Sequence, residues 1–536
     1  MGVFSVSDLQ VRFGEVEAVK GVTFSICAGK TLAIVGESGS GKSAALLGAT
    51  GLLPASASVG GKVLHRGQDI LGASNRTLRR IRGAEIGFVF QDPLSNLHPL
   101  KTIGEQIAEA ISAHCRIGRN ERRARVLSLL DDVGIDSPSK RLEQYPRQLS
   151  GGMRQRVMIA MAVALNPGLI IADEPTTALD VTVQASILEL LKHLQERHGT
   201  ALIFVSHDLA VVSDIADDVL VMRQGKVVEQ ATADEIYRAP AKDYTRELLS
   251  AARLAGPRTF PRQRLIDPDR PVLEVKALSR AFDPTRPVLS DVSFTISKGE
   301  ILGLVGESGS GKSTIGRILA ALDRPDAGKV ALHGEEFASP GRTSLRGERR
   351  RTIQVVFQDP YSSLNPRRRV GKILADPFVI GGERDQAALD EKVKRLMADV
   401  ELPEALLDRL PSQLSGGQRQ RVSIARAIAS RPSLIVADEA VSALDITTQS
   451  RILALLADLR NRLEVSLLFI SHDLGVVGEL CDRVAVLDKG HIVEIGPTRR
   501  IFENPQHHYT KRLLASVPGR RRKALDFLAT GASHAF

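Results

Sequence analysis

Residues Val35–Ser43 read VGESGSGKS, and the same nine letters recur at Val305–Ser313. Both copies fit the pattern G-x-x-x-x-G-K-[ST], follow an apolar run of strand type (TLAIV or EILGLV) and precede an apolar run of helical type. This is the context of a phosphate-binding loop (P-loop), in which glycines let backbone N–H groups turn toward phosphate oxygens at a helix N-terminus. The chain is therefore predicted to bind nucleotide phosphates twice.

The residues of the two P-loops have different predicted tasks. The lysine of each loop places a positive charge on the β- and γ-phosphates, and the serine after it binds Mg²⁺. One position differs, because Thr314 is replaced by Ala44; this removes a hydroxyl near the α-phosphate but no metal ligand, so weaker binding rather than inactivity is expected. The predicted loop residues are Gly36, Ser38, Gly39, Ser40, Gly41, Lys42, Ser43 and Ala44, and Gly306, Ser308, Gly309, Ser310, Gly311, Lys312, Ser313 and Thr314.

Four further motifs recur in the same order as the P-loops, which indicates a tandem duplication. They are VFQDP at Val89 and Val356, LSGG at Leu149 and Leu414, ADE at Ala172 and Ala437, and SHD at Ser206 and Ser471. We predict a first domain at 1–252, a Pro- and Arg-rich linker at 253–271 and a second domain at 272–536. Buried strand patterns alternating with helical ones predict an α/β core with a mostly parallel sheet in each domain. Helical insertions are predicted at about 92–148 and 359–413, the second containing Val393, Leu396, Met397 and Val400 at helical spacing.

Acidic and histidine residues follow two apolar strands in each half. In LIIADE and LIVADE the aspartate is predicted to lie beside Mg²⁺ and the glutamate to act as general base. The alternative for such a pair is a helix N-cap, and for a histidine after a strand it is a structural role; the repeat beside a P-loop favours catalysis and a γ-phosphate contact. The residues are Asp173, Glu174 and His207, and Asp438, Glu439 and His472.

Composition limits the class of protein. The 536 residues are 43% hydrophobic and 25% charged, which suggests a globular chain of two to four domains. No run approaches the roughly 18 apolar residues of a membrane helix, and the start lacks a signal-peptide pattern. Three widely spaced cysteines, Cys27, Cys115 and Cys481, predict neither a disulfide framework nor a local metal cluster.

The stretches LSGGMRQR at Leu149 and LSGGQRQR at Leu414, with the motifs above, resemble the ATP-binding cassette (ABC) family over nearly the whole chain. The resemblance implies two tandem P-loop NTPase domains, each with a helical subdomain, that hydrolyse ATP with Mg²⁺. It implies that Gln91 and Gln358 contact Mg²⁺ and report to a partner subunit, and that Asp180 and Asp445 link the two sites. The implied signature residues, which bind the γ-phosphate across a dimer interface, are Ser150, Gly151, Gly152, Ser415, Gly416 and Gly417. Phe13 and Phe282 are candidates to stack on adenine, with a strand-core role as the alternative.

VFQDPLSNLHPL and VFQDPYSSLNP are similar to the branch of the family that imports dipeptides, oligopeptides, glutathione and nickel. The matched tails PAKDYTRELL and PQHHYTKRLL, within about 239–252 and 504–519, are similar to the C-terminal extension of that branch. The resemblance implies a peripheral subunit at the cytoplasmic face of the inner membrane. Its implied partners are two integral-membrane permease subunits and a periplasmic or lipid-anchored substrate-binding protein, without a specific nucleic acid.

The alternative is a soluble tandem ATPase acting on nucleic acid or the ribosome, which the net charge of +10 invites. Proteins of that kind usually join their cassettes by a long charged helical arm. Here the predicted linker is short and contains Pro257, Pro261, Pro268 and Pro271. The arginine runs are scattered and lack interleaved aromatics for base stacking, and aromatic residues make up only 4% of the chain. These features favour the transporter.

A P-loop binds phosphates from one side, and a signature from the other half can supply the missing donors. One chain would then supply both ATPase halves, with Lys42 facing Ser415 and Lys312 facing Ser150. We predict that Lys42→Ala with Ser415→Arg damages one site twice and has little more effect on ATPase rate than either change alone. Lys42→Ala with Ser150→Arg damages both sites and leaves essentially no ATPase. If Lys42 and Ser150 were instead the redundant pair, each half would work alone.

Overall fold

The structure, a computed structural model, describes residues 2–177, 179–252, 260, 271–283, 286–345, 347–441 and 444–519. They form two compact units, one comprising 2–252 with Pro518 and Gly519 and the other comprising 260–517. The predicted linker 253–271 lies outside the described residues except for Phe260 and Pro271, and Pro271 already begins a strand.

The secondary structure of the first unit begins with a long antiparallel strand pair. Its strands are β1 (Gly2–Phe13), β2 (Val16–Cys27), β3 (Thr31–Val35), β4 (Ala57–His65), β5 (Gln68–Asp69), β6 (Ile86–Val89), β7 (Leu169–Asp173), β8 (Ala201–Ser206), β9 (Asp218–Arg223) and β10 (Lys226–Thr232). Its helices are α1 (Lys42–Ala49), α2 (Asn75–Ile81), α3 (Pro93–Asn96), α4 (Ile103–Ser112), α5 (Arg119–Asp132), α6 (Pro138–Arg141), α7 (Gly151–Val163), α8 (Val181–His198), α9 (Leu209–Ile215), α10 (Ala233–Arg238) and α11 (Asp243–Ala251). A 3-10 helix spans Pro146–Gln148.

The second unit follows a similar order, with one additional short strand and with 3-10 helices in place of α2 and α6. Its strands are β11 (Pro271–Asp283), β12 (Arg286–Ser297), β13 (Ile301–Val305), β14 (Ala327–Leu332), β15 (Glu335–Ser339), β16 (Arg342–Thr343), β17 (Ile353–Val356), β18 (Leu434–Asp438), β19 (Ser466–Ile470), β20 (Arg483–Asp488) and β21 (His491–Pro497). Its helices are α12 (Lys312–Leu319), α13 (Pro360–Ser363), α14 (Val370–Ile380), α15 (Gln386–Asp399), α16 (Gly416–Ile428), α17 (Ile446–Leu463), α18 (Leu474–Leu480), α19 (Thr498–Glu503) and α20 (His508–Ala515). The 3-10 helices span Gly347–Arg351, Glu404–Leu406 and Pro411–Gln413.

Each unit contains an antiparallel sheet and a mostly parallel sheet. In the first unit their strand orders are β2-β1-β4-β5 and β10-β9-β3-β8-β7-β6, and in the second they are β12-β11-β14-β15-β16 and β17-β18-β19-β13-β20-β21. The edge strands β10 and β21 run antiparallel to their neighbours, whereas the other pairs in the six-stranded sheets are parallel. The predicted α/β class with a mostly parallel sheet is confirmed in both units.

The central strands are those predicted from the apolar runs. TLAIV forms β3 and LIIAD forms β7, and every residue of both is buried. Such continuous aliphatic runs are typical of parallel strands with both faces covered. Because β6, β7, β8 and β3 are parallel neighbours, their carboxyl ends lie along one edge of the sheet, with Asp173 opposite Val205 and Val35 opposite Ser206.

A helical subdomain follows β6 in the first unit and β17 in the second. It runs from α3 to α7 and from α13 to α16, so helical structure continues beyond residues 148 and 413. The predicted amphipathic helix is confirmed as α15, which buries Val393, Leu396 and Met397, with Val400 buried at its end. Among the described residues, every helix is too short or too polar to cross a membrane.

Candidate functional site

Each P-loop encloses the ammonium group of its own lysine. Lys42 Nζ donates to the carbonyl oxygens of Gly36 at 2.8 Å and Glu37 at 2.9 Å, and Lys312 Nζ donates to the equivalent carbonyls at 2.7 and 2.8 Å. Both lysine residues are 5% exposed. Helices α1 and α12 begin at these lysines, so their first backbone N–H groups point toward the loop and can bind an anion.

Close backbone packing explains why glycine occupies two of the loop positions. A Cβ at Gly36 would lie 2.2 Å from the carbonyl oxygen of Met222 in β9. Gly41 has a φ of 98°, and a Cβ there would lie 2.5 Å from the carbonyl oxygen of Ala18. The loop is therefore held against the sheet by contacts that a larger residue would break.

A hydroxyl and a carboxylate meet at the end of β7 and again at the end of β18. Ser43 Oγ donates to Asp173 Oδ1 at 3.0 Å, and Ser313 Oγ donates to Asp438 Oδ1 at 3.4 Å. Burial raises the pKa of Asp173, and the hydrogen bond from Ser43 acts in the opposite direction. Burial thus disfavours the ionised form of this carboxylate, and a bound cation would stabilise that form.

These oxygen atoms fit Mg²⁺. Within the described ranges, no group of three or more His, Cys, Asp or Glu side chains is placed to hold a metal ion. Mg²⁺ needs no such cage, because it usually binds one or two protein oxygens together with substrate phosphates and water. Ser43 with Asp173, and Ser313 with Asp438, are the residues that would hold it.

The glutamate after each aspartate has an unusual backbone conformation. Glu174 has a φ of 45° and Glu439 a φ of 48°, which is the left-handed region. For a residue other than glycine this costs about 1–2 kcal/mol, and it persists where the surroundings hold it in place. The Glu174 N–H donates to the carbonyl of Val205 at 3.1 Å, and the Glu439 N–H donates to that of Ile470 at 2.9 Å.

Three side chains hold the Glu174 carboxylate. Its Oε1 lies 3.2 Å from His207 Nδ1, and its Oε2 accepts hydrogen bonds from Gln91 Nε2 at 2.8 Å and Thr177 Oγ1 at 2.9 Å. In the second unit, Glu439 Oε1 lies 3.2 Å from His472 Nδ1, and Oε2 accepts from Gln358 Nε2 at 2.5 Å. The residues predicted for catalysis are therefore brought together in both units.

This pairing sets the charges of the two groups. Burial by itself raises the pKa of Glu174, but the hydrogen bond and charge of His207 lower it overall. Burial by itself lowers the pKa of His207, but its bond to Glu174 raises it overall. Each partner thus favours the charged form of the other, and an ionised carboxylate is what a general base requires.

The signature serines make their contacts elsewhere, at helix N-termini. Ser150 caps α7 by accepting from the Met153 N–H, and Ser415 caps α16 by accepting from the Gln418 N–H, both at 3.3 Å. Gln418 also accepts from the Ser415 N–H at 2.9 Å, a return bond that the apolar Met153 side chain is unsuited to make. The Ser-Gly-Gly segment begins a helix in both units.

The two candidate adenine-stacking residues are exposed. Phe13 is 36% exposed and Phe282 is 63% exposed, so the strand-core alternative is wrong for both. The guanidinium of Arg280 lies 4.8 Å from the centre of the Phe282 ring. Stacking on adenine stays a prediction.

Sequence reasoning missed Thr177, whose hydroxyl bonds Glu174. A search for hydroxyls within one helical turn of the predicted base would have found it. It also missed Tyr509, whose hydroxyl bonds the backbone of the second P-loop. The repeat of Tyr-Thr in both tails, at Tyr244 and Tyr509, was the available signal.

Comparison with known families decides the assignment. The profile described as "ABC transporter" matches residues 19–177 and 289–442, together more than half of the chain. This chain belongs to the ABC transporter family. A second profile, described as "Oligopeptide/dipeptide transporter, C-terminal region", matches residues 493–532. The ABC assignment also confirms the predicted ATPase activity.

Relatives of this ABC protein align along almost its whole length. It is 44% identical to the "Glutathione import ATP-binding protein GsiA" of Salmonella choleraesuis (strain SC-B67) over 96% of this chain and 89% of that protein. The protein of the same name from Escherichia coli O157:H7 is also 44% identical, with the same coverage of both chains.

We predict that Glu174→Gln with Glu439→Gln abolishes ATP hydrolysis by this ABC protein while ATP binding remains. Glutamine keeps the size of the side chain but is not basic, and loss of a general base lowers kcat by about 10²- to 10⁴-fold. ATPase rate and ATP affinity would be measured side by side. Glu196→Gln with Glu391→Gln, an equal charge change at exposed helical positions, is the control and retains the parent rate. Near-parental hydrolysis by the first variant would show that the base is assigned wrongly.

Proposed function

We propose that this ABC protein is the ATP-hydrolysing, energy-coupling subunit of a bacterial importer for peptides or related small solutes, among them glutathione. The observation that carries the proposal is the similarity to glutathione-import ATP-binding proteins over 96% of this chain. The match of its tail to the oligopeptide/dipeptide transporter C-terminal region supports the same class of solute.

We assign the chemical roles from the geometry of each site. Lys42 and Lys312 carry the buried positive charge that receives the β- and γ-phosphates. Ser43 with Asp173, and Ser313 with Asp438, would hold Mg²⁺, which would supply positive charge against the negative charge that develops during transfer. Glu174 and Glu439 accept a proton from the attacking water, and the histidine paired with each holds its carboxylate ionised and in place.

Gln91 links the helical subdomain to this chemistry. It lies between β6 and α3, and its amide donates to the Glu174 carboxylate at 2.8 Å. Gln358 lies between β17 and α13 and makes the equivalent bond to Glu439. Displacement of α3 or α13 by a partner would move the glutamine and remove its hydrogen bond to the carboxylate. We propose this as the route by which a membrane partner controls hydrolysis.

A cavity of about 960 Å³, lined in part by Phe357 next to Gln358 in the chain, suits such a partner in the second unit. It lies between the end of α12, the β15–β16 hairpin, β17 and the helices α13 and α16. Its lining includes the aromatic Phe357 and the cationic Arg342, Arg350 and Arg426. A short amphipathic helix with an acidic residue complements this surface.

Helix α3 of the first unit and helix α13 of the second carry exposed apolar side chains at matched positions. Leu94 of α3 is 57% exposed, and Tyr361 of α13 is 53% exposed. We propose that the segments 92–148 and 359–413 each receive a helix from one of two integral-membrane permease subunits. In this arrangement a periplasmic or lipid-anchored protein delivers the solute, and the chain lies at the cytoplasmic face of the inner membrane.

Cysteine cross-linking in membranes tests the assembly. In a chain with Cys27, Cys115 and Cys481 replaced, Leu94→Cys and Tyr361→Cys are each predicted to cross-link to an integral-membrane polypeptide. Lys298→Cys, at a side chain 70% exposed in the turn after β12, is the control and does not cross-link. Absence of a membrane adduct, together with ordered binding to RNA or ribosomes at physiological salt, would contradict the importer and favour the nucleic-acid alternative.

A further inference from the structure

The C-terminal tail of each half is fixed to its edge strand by a glutamate. Glu494 of β21 accepts from the backbone N–H groups of Gln506 at 2.9 Å and His507 at 3.1 Å. In the first unit, Glu229 of β10 accepts from two N–H groups before α11 at 2.7 and 3.2 Å. Burial by itself raises the pKa of Glu494, but the hydrogen bonds it accepts lower it overall, so it stays ionised. The tail is thus a docked part of each unit.

In the second unit the docked tail reaches the P-loop through Tyr509. Its hydroxyl accepts the N–H of Glu307 at 3.1 Å, and the residue is 1% exposed. That N–H belongs to the same planar peptide group as the carbonyl of Gly306, which accepts Lys312 Nζ at 2.7 Å. Because the group is rigid, a bond to its N–H on one side also sets the direction of its carbonyl on the other.

Neighbouring contacts keep this peptide group in place. A Cβ on Gly306 would lie 2.2 Å from the carbonyl oxygen of Leu487, so β20 packs directly against it. Arg512 Nη2 lies 3.6 Å from Glu307 Oε1, and its guanidinium lies 5.2 Å from the centre of the Tyr509 ring. Burial raises the pKa of Tyr509 to about 12, so its hydroxyl remains neutral at physiological pH.

The first half differs at the position that corresponds to Arg512. That position is Glu247, which has the same charge as Glu37 of the first P-loop and is unsuited to pair with it. A pair like that of Arg512 with Glu307 therefore cannot form from position 247 of the first sequence repeat.

We propose that Tyr509 is a positioning residue for Lys312, through which the C-terminal tail sets the affinity of the second site for ATP. This rests on the proposed role of both P-loops in ATP binding. The bond from the tail holds the Gly306–Glu307 peptide group in the orientation that places the lysine, so nucleotide meets a loop that is already ordered.

The test is the affinity of the full chain for AMP-PNP with Mg²⁺, measured by calorimetry in a Lys42→Ala background that isolates the second site. Tyr509→Phe keeps the ring and removes the hydroxyl, and we expect the Kd to rise about 3- to 10-fold, the effect of one neutral hydrogen bond. Ser516→Ala, which removes a tail hydroxyl that donates to the Arg512 carbonyl of the same helix, is the matched control and leaves the Kd unchanged. In a Lys312→Ala background, Tyr509→Phe leaves the Kd of the first site unchanged.

An unchanged Kd for Tyr509→Phe in the Lys42→Ala background would overturn the proposal and leave the ATPase assignment intact. Equal weakening by Ser516→Ala, or by Tyr509→Phe in the Lys312→Ala background, would also overturn it, because the effect would then not run through the bond from Tyr509 to the second P-loop. If the Lys42→Ala parent bound no AMP-PNP, the proposed ATP site of the second unit would fail together with the proposal.

Discussion

The site in each unit depends on the parallel pairing of four adjacent strands. Because β6, β7, β8 and β3 end at one edge of their sheet, side chains separated by more than a hundred residues meet there. Asp173, Glu174 and His207 lie at or just after the ends of β7 and β8, so their positions follow from this register, and a shift of one residue would turn a strand side chain such as that of Asp173 to the opposite face. The aliphatic residues that bury the strands on both faces therefore also fix the geometry of hydrolysis.

The glutamate directly after β7 or β18 has a left-handed backbone conformation, and it is the residue at which the strand ends and the candidate catalytic group begins. The backbone N–H of Glu174 still donates to the neighbouring strand β8. Its carboxylate points away from the sheet hydrogen bonds and contacts His207 and Gln91. The same conformation recurs at Glu439 although the following residues differ, Pro-Thr-Thr in one half and Ala-Val-Ser in the other. Such repetition in two divergent segments points to a constraint imposed by function rather than by local sequence.

The sequence predicted structure and site residues best where a spacing rule and a characteristic residue type occur together. The P-loops, the acidic strand ends and the helix around Met397 could be predicted because each combines a spacing rule with a residue type. The role of Phe13 was ambiguous because the alternation of apolar and polar residues does not show whether an aromatic residue at the end of a strand faces the core or the solvent. Thr177 and Tyr509 escaped prediction, since their contacts depend on tertiary packing and on a peptide orientation that no local pattern encodes.

Two matched sites on one chain are the central claim of this account. Each site has a P-loop with a buried lysine, a serine bonded to an aspartate, and a paired glutamate and histidine. The first half differs from the second in having Ala44 where the second has Thr314, and Glu247 where the second has Arg512. The most direct measurement is the number of nucleotides bound per chain at saturation with AMP-PNP and Mg²⁺. The account predicts two, with unequal affinities that reflect these differences. Binding of one nucleotide per chain, or of none, would contradict it.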